Sequence, residues 1–404
     1  MSSVHGPFGF ASRPSACACT VTGLVVGVVT GLAAAGVSQP AVAAPVHMTT
    51  AVTPTRTADT VLAQMSLSQR VGQLFMVGTP ATSASKATLS YISRYHVGNV
   101  MLTGRSYGGT RTPARVAAAM QARVSRPATS NVRLFVATDQ EGGDVQVLHG
   151  SGFSEIPSAL KQGRLYPSRL RTLAGRWARQ LGAAGVNMNL APVLDTVPSP
   201  AAARNNPPIG VFDREFGYTT KVVGNHGTAF ARGMARNGVV TAVKHFPGLG
   251  RVHANTDTSR GVTDRVTRRH DGYLAPFKQA IGAGVPYVMV STAYYAHLDA
   301  KNPAAFSPFV LETMLRSDLA FHGAVISDDL ANAMQVSGWS YGARATKFIG
   351  AGGDMVLTVD PAALPAMYKA VLGRARSNAS FRAKVNAAAL RVLNSKEHRN
   401  LLGH

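Results

Sequence analysis

The chain has 404 residues, a formal net charge of +22 and 46% hydrophobic residues, which suggests one large domain or two to three small ones. Its two cysteines, Cys17 and Cys19, lie close to the N-terminus, so no disulfide framework holds the rest together and the main body must rely on its own core. The positive charge favours polyanions, but like charges do not run together and no nucleic-acid-binding motif occurs, so nucleic acid is not the expected partner.

Residues 1–44 contain one charged residue, Arg13. Val21 to Val37 form an apolar run of Val, Leu, Ala and Gly, and Ala41-Val42-Ala43 follows with small residues at both recognition positions. This pattern predicts a secretory signal peptide cleaved near Ala43 or Ala44, with no stable membrane insertion afterwards. Both cysteines precede the run, so lipid attachment through them is not expected. The exported chain would contain no cysteine and keep a charge near +21, which suits an anionic cell-wall polymer. Secretion, or association with the cell wall, is the expected location. Residues 45–58, rich in Thr, Ala and Pro, read as a flexible linker.

From Ala58 onward a globular pattern begins. Strand-length apolar runs recur at Gln73–Val77, Gly98–Leu102, Arg133–Ala137, Asn187–Ala191, Val239–Val243, Pro286–Val290, Gly323–Ile326 and Asp354–Thr358. Most are apolar at consecutive positions, as parallel strands buried on both faces require. Helical patterns lie between them. Leu170, Leu173, Ala174, Trp177, Ala178 and Leu181 share one face behind a candidate cap, Ser168, and 273–283 and 362–372 read similarly. Eight strands alternating with helices predict a single (β/α)8 TIM-type barrel over 59–404. An open doubly wound sheet allows the same alternation, but no nucleotide-binding glycine signature follows any strand.

Polar residues gather just after these strands: Asp139, Gln140 and Glu141 after the third, Asp195 and later Asp213, Arg214 and Glu215 after the fourth, Lys244 and His245 at the end of the fifth, and Ser327, Asp328 and Asp329 after the seventh. That end of a barrel is where catalysis sits. A carboxylate such as Asp328 can act as a nucleophile on a sugar's anomeric carbon, although Asp328 or Asp329 could equally cap the helix that follows. Asp139 can accept two hydroxyl hydrogen bonds, and the Arg214 guanidinium can hold a hydroxyl or carbonyl through fixed donors. The scattered histidines have no metal-ligand spacing, so neither metal nor other cofactor is implied.

The run Lys244 to Gly248 resembles the KHFPGHG segment of bacterial family 3 glycoside hydrolases, in particular β-N-acetylglucosaminidases. The resemblance extends from MSLSQRVGQLFMVG (65–78) through YHVGNVML (95–102), ATDQEGG (137–143), NPPIG (206–210), DREFG (213–217) and AAFSP (304–308) to ISDDL (326–330). It implies a TIM barrel that removes terminal β-linked N-acetylglucosamine, from an oligosaccharide or a peptidoglycan fragment, with retention through a glycosyl ester. Carried over, it implies Asp328 as nucleophile and Asp139, Arg214, Lys244 and His245 as sugar contacts. The rivals are a β-glucosidase and a catalytically weak barrel that binds wall glycans.

Three departures stand out. Leu249 replaces the second His of the family run. Asp144 and Val147 stand where two arginines are expected. Asp257-Thr258-Ser259 occupies the place of Asp-Ser-His, whose His is the family's general acid/base. A hydroxyl cannot take that role near neutral pH. Three alternatives remain open at this point: His253 acts with Asp257, Asp257 acts itself, or hydrolysis is weak or absent. A closing movement of the Gly-rich loop over substrate is also expected.

Overall fold

The computed structural model describes residues 56–403. The expected signal peptide, both cysteines and most of the linker lie outside the described residues. All eight apolar runs form parallel strands: β1 (Phe75–Pro80), β2 (Asn99–Thr103), β3 (Phe135–Thr138), β4 (Met188–Asn189), β5 (Val240–Phe246), β6 (Tyr287–Val290), β7 (Ala324–Ser327) and β8 (Val356–Thr358). β1 to β7 pair in sequence order, and β1 also pairs with β8, as Phe75 opposite Val356 shows. The β7–β8 seam carries a bridge between Ile326 and Met355 and a bond from the Ser327 amide to the Met355 carbonyl (2.9 Å). There the Ser327 hydroxyl accepts from the Leu357 amide (3.0 Å). The expected barrel is therefore present.

The strands are apolar on consecutive positions because both faces are covered. Inward residues such as Met76, Met101, Phe135, Leu190, Met289 and Leu357 fill the barrel. Outward ones, such as Val77, Val136, Val243 and Val325, pack against the helix layer. That layer comprises α1 (Ala58–Gln64), α2 (Leu67–Gln73), α3 (Lys86–Arg94), α4 (Arg111–Gln121), α5 (Pro167–Ala183), α6 (Thr220–Ala235), α7 (Ala275–Gly282), α8 (Tyr341–Gly350), α9 (Leu364–Ser377) and α10 (Ala379–Glu397). A π-helix, Phe309–Asp318, joins β6 to β7. In α5, Leu170, Ala174, Trp177, Ala178 and Leu181 form the buried face, and each buried leucine there contributes roughly 1.5–3 kcal/mol. Ser168 does not cap it. The helix begins at Pro167, whose fixed φ and missing N–H suit a first helical position.

Residues 56–58, the end of the segment read as linker, belong to the fold. Thr57 and Thr60 form a capping box on α1, and Arg56 donates to the Ser130 carbonyl. In the last turn of α10, Lys396 is fully buried at the N-terminal end of the barrel. Its Nζ donates to Gln73 Oε1 and the Gly98 carbonyl (2.8 Å each), and burial pushes its pKa well below the usual lysine range. A depressed lysine pKa means the unfolded chain binds more protons, so stability falls as pH drops from about 10.4. Lys396→Met is expected to abolish that slope, up to about 1.4 kcal/mol per pH unit. Denaturation midpoints of both forms across that range check it, and parallel pH dependences would refute it.

Candidate active site

The polar residues at the C-terminal strand ends open into one cavity of about 350 Å³. Its floor is the upper layer of barrel side chains, including Met101, Leu190, Met289 and Leu357, and Asp139, Arg214, Lys244, His245, Asp257 and Asp328 line its walls. Segments that follow four different strands thus meet because parallel strands all end on the same face.

After β3 the chain makes a short hairpin, Gln140–Gly142 against Val145–Gln146. Gly142 has φ +110°, and a Cβ there would lie 2.3 Å from the Pro157 carbonyl oxygen, so the turn demands glycine. The hairpin buries Glu141 between two cations. Arg214 grips it in a bidentate fork, Nε to Oε2 at 2.9 Å and Nη2 to Oε1 at 2.8 Å, while Lys244 Nζ lies 2.6 Å from Oε1. Lys244 also reaches Asp139 Oδ1 at 2.7 Å, and Arg214 Nη1 donates to the Pro208 carbonyl. Burial raises the pKa of Glu141, but Arg214 and Lys244 outweigh it and hold it at about 2. Lys244, Glu141 and Arg214 therefore stay ionised across the physiological range, with each buried charge paired.

His245 is held from behind. Asp195, fully buried, accepts from His245 Nδ1 (2.7 Å) through Oδ2, and from the His245 and Leu249 amides (3.2 and 2.8 Å) through Oδ1. A carboxylate that already accepts two amides makes Nδ1 the protonated nitrogen of the ring. Leu249 is buried, and Asn206 Nδ2 donates to both the Leu249 and Val252 carbonyls (2.8 Å each).

This anchoring turns His253 outward. It is exposed, its Nδ1 lies 3.3 Å from the Asn205 carbonyl oxygen, and it does not line the cavity. The structure does not pair it with Asp257, contrary to expectation, because the Asn206 bonds fix the backbone before it. Asp257 does reach the cavity, its amide held by Asn255 Oδ1 (2.9 Å). The residue is exposed at the cavity mouth, yet its carboxyl sits among other acids below the rim, and its pKa is pushed up to about 6. Burial is the main cause and Asp328 the next, with His245 and Arg214 pulling the other way.

The two adjacent aspartates after β7 divide their tasks. Asp329 accepts from the Ala331 and Val359 amides through Oδ1 (2.9 and 3.0 Å) and from the Asn332 amide through Oδ2 (3.1 Å). It shapes the turn and ties it to the end of β8. The turn-capping role that either residue could have filled belongs to Asp329, and no α-helix follows directly. Asp328 is half-buried at the cavity wall, its Oδ1 accepting only from the neighbouring Asp329 amide (2.9 Å) among the described residues.

Residues 66–395 match the N-terminal domain of glycosyl hydrolase family 3. The chain belongs to glycosyl hydrolase family 3. It is 51% identical to a β-N-acetylhexosaminidase from Beutenbergia cavernae, whose crystal structure superposes with a TM-score of 0.81 over 82% of this chain and 98% of that one. A family 3 β-N-acetylglucosaminidase from Paenibacillus sp. is 31% identical, with a TM-score of 0.76 over 83% of this chain and 63% of that one. A β-hexosaminidase of Stenotrophomonas maltophilia is 31% identical over 327 residues, 78% of this chain and 92% of the relative. This family 3 chain is a glycosidase.

Sequence reasoning assigned no role to Glu141 and Asp195 of this family 3 site. Both stood in view among the polar residues after β3 and β4. What marks them is burial with two or three charged or amide partners, and only the assembled barrel reveals that.

Proposed function

We propose that the protein is an exported β-N-acetylhexosaminidase that removes a terminal β-linked N-acetylglucosamine with retention of configuration. The observation that carries this reading is the placement of Asp328 and Asp257 in one cavity, with Asp257 poised near pH 6. The names of the relatives, hexosaminidase and acetylglucosaminidase, support the sugar.

Asp328 attacks the anomeric carbon and forms a glycosyl ester, while Asp257 gives its proton to the departing oxygen as that bond breaks. Asp257, now a carboxylate, takes a proton from water, and the resulting hydroxide adds to the anomeric carbon and frees Asp328. Asp139, Lys244, Arg214 and His245 hold the sugar hydroxyls and carbonyl. Six carboxylates (Asp139, Glu141, Asp195, Asp257, Asp328 and Asp329) surround two cations there. That excess of acids disfavours an anionic ligand and suits an uncharged sugar.

The test is the chain without residues 1–44 against p-nitrophenyl β-N-acetylglucosaminide and β-glucoside, with product anomers followed by proton NMR. Preferred release of the β-anomer of N-acetylglucosamine is expected; inversion, preference for glucoside or no turnover would overturn the proposal. Export rests on the apolar run and Ala41-Val42-Ala43. The secreted form is expected to begin near Ala44 or Pro45 on N-terminal sequencing, and a start at Met1 would refute it.

A further inference from the structure

The loops that carry the two carboxylates of the proposed reaction are bonded to each other. Asp328 follows β7, and six residues later Met334 opens a 3-10 turn, Met334–Val336. The Met334 amide donates to the Asp257 carbonyl (3.1 Å), and the Gln335 amide to the Thr256 carbonyl (3.0 Å). Gln335 is buried, and its side chain repeats a backbone pairing with Val262. Oε1 accepts from the Val262 amide (3.0 Å), and Nε2 donates to the Val262 carbonyl (3.1 Å). Arg260 Nε donates to Ser337 Oγ (2.7 Å) just beyond. At its other end the same loop is tied by Asp195 to the Leu249 amide and by Asn206 to the Leu249 and Val252 carbonyls.

We propose that Gln335 and the Met334 amide form a positioning latch, which holds the Asp257 loop against the Asp328 loop so that the acid/base and the nucleophile keep one fixed relation. The proposal rests on the reading of Asp257 as acid/base. A hydrogen-bonded loop docked at both ends presents its side chain without a closing step, which is the preorganisation that proton transfer to a departing oxygen requires. The latch also sets the surroundings of Asp257. Asp328 and Asp329 face it from the loop after β7, His245 from the end of β5 and Arg214 from the loop after β4. Opening the latch admits water and moves Asp257 away from Asp328. Both causes that raise its pKa then weaken, and the pKa falls towards the ordinary carboxylate range.

Met334→Pro tests the latch at a position that tolerates it. The side chain is 42% exposed, the residue is the first of its turn, and Ala333 before it has φ −56° and ψ 117°, the extended conformation that precedes proline. The substitution removes one donor and crowds the Asp257 carbonyl. Gln335→Met, which keeps the volume and deletes both side-chain bonds, carries the same readouts should the proline variant fold poorly.

Three results are expected. Hydrogen exchange of residues 249–263 speeds up by about tenfold or more, with the rest of the barrel unchanged. The alkaline limb of kcat/KM moves to lower pH by roughly one unit. Turnover of a disaccharide, a poor leaving group, drops by roughly tenfold while that of the nitrophenyl glycoside changes little. A purely structural role would lower the amount of active enzyme without moving the limb. An alkaline limb that persists in Asp257→Ala overturns the acid/base reading itself. A limb that follows Asp257 but stays in place in both latch variants, or a wild-type loop that exchanges as fast as a free peptide, overturns the latch.

Discussion

Asp328→Ala is expected to lower kcat by about 10⁴-fold or more with the fold intact, because the proposed reaction loses its nucleophile. The fold survives because the turn is held by Asp329, whose carboxylate accepts the Ala331, Asn332 and Val359 amides, whereas Asp328 accepts only from its neighbour among the described residues. A fluoro-sugar that traps the glycosyl ester should label the peptide containing Asp328, read by mass spectrometry. Labelling of another residue, or a variant that retains more than a few per cent of activity, would remove Asp328 from that role. Asp329→Ala provides the contrast. It leaves three backbone amides without their acceptor, so a lowered melting temperature should accompany its loss of activity.

Asp257→Ala is expected to cost about 10²- to 10⁴-fold in kcat/KM on a substrate whose leaving group is a sugar, and much less on a nitrophenyl glycoside. A sugar alkoxide must be protonated as it departs, and a nitrophenolate need not be. His253→Ala should leave both substrates unaffected, since His253 points to the Asn205 carbonyl on the exposed side of the loop. An acid works while protonated, so the wild-type rate on the poor substrate should fall as pH rises through about 6, and that limb should vanish in Asp257→Ala. The same raised pKa has a stability consequence of defined sign. Between the ordinary value of 3.8 and about 6 the folded chain binds more protons than the unfolded chain, so Asp257 makes the fold less stable as pH increases through that window. Asp257→Asn should flatten this part of the stability profile. Loss of leaving-group dependence in His253→Ala instead would restore the imidazole as the acid.

Fold and site were legible in the sequence to different depths. The barrel was readable because strands covered on both faces carry consecutive apolar residues, a property of each segment alone, and all eight runs became strands. Asp139, Arg214, Lys244, His245, Asp257 and Asp328 could be nominated together because parallel strands deliver their C-terminal ends to one face. Helix starts were less legible. Ser168 has the chemistry of a cap, but the proline beside it is the better first residue of the helix.

What one segment could not reveal is how a loop packs on its neighbours. From spacing alone, His253 and Asp257 could have formed a pair. Asn206, more than forty residues away, decides otherwise by holding the Leu249 and Val252 carbonyls and turning His253 outward. The roles of Asp328 and Asp329, identical in side chain and adjacent in sequence, separate only when the Val359 amide at the end of β8 arrives to bond one of them. Glu141 and Asp195 matter because the barrel buries them against partners from other strands, where a charge or amide in low dielectric must be matched. The sequence by itself determined the barrel, the family and the set of residues at its mouth, since apolar patterning and strand order are local properties. Tertiary structure alone decided which carboxylate is poised near pH 6 and which histidine faces the cavity, since a pKa and an orientation depend on the long-range neighbours that desolvate and hydrogen-bond a group.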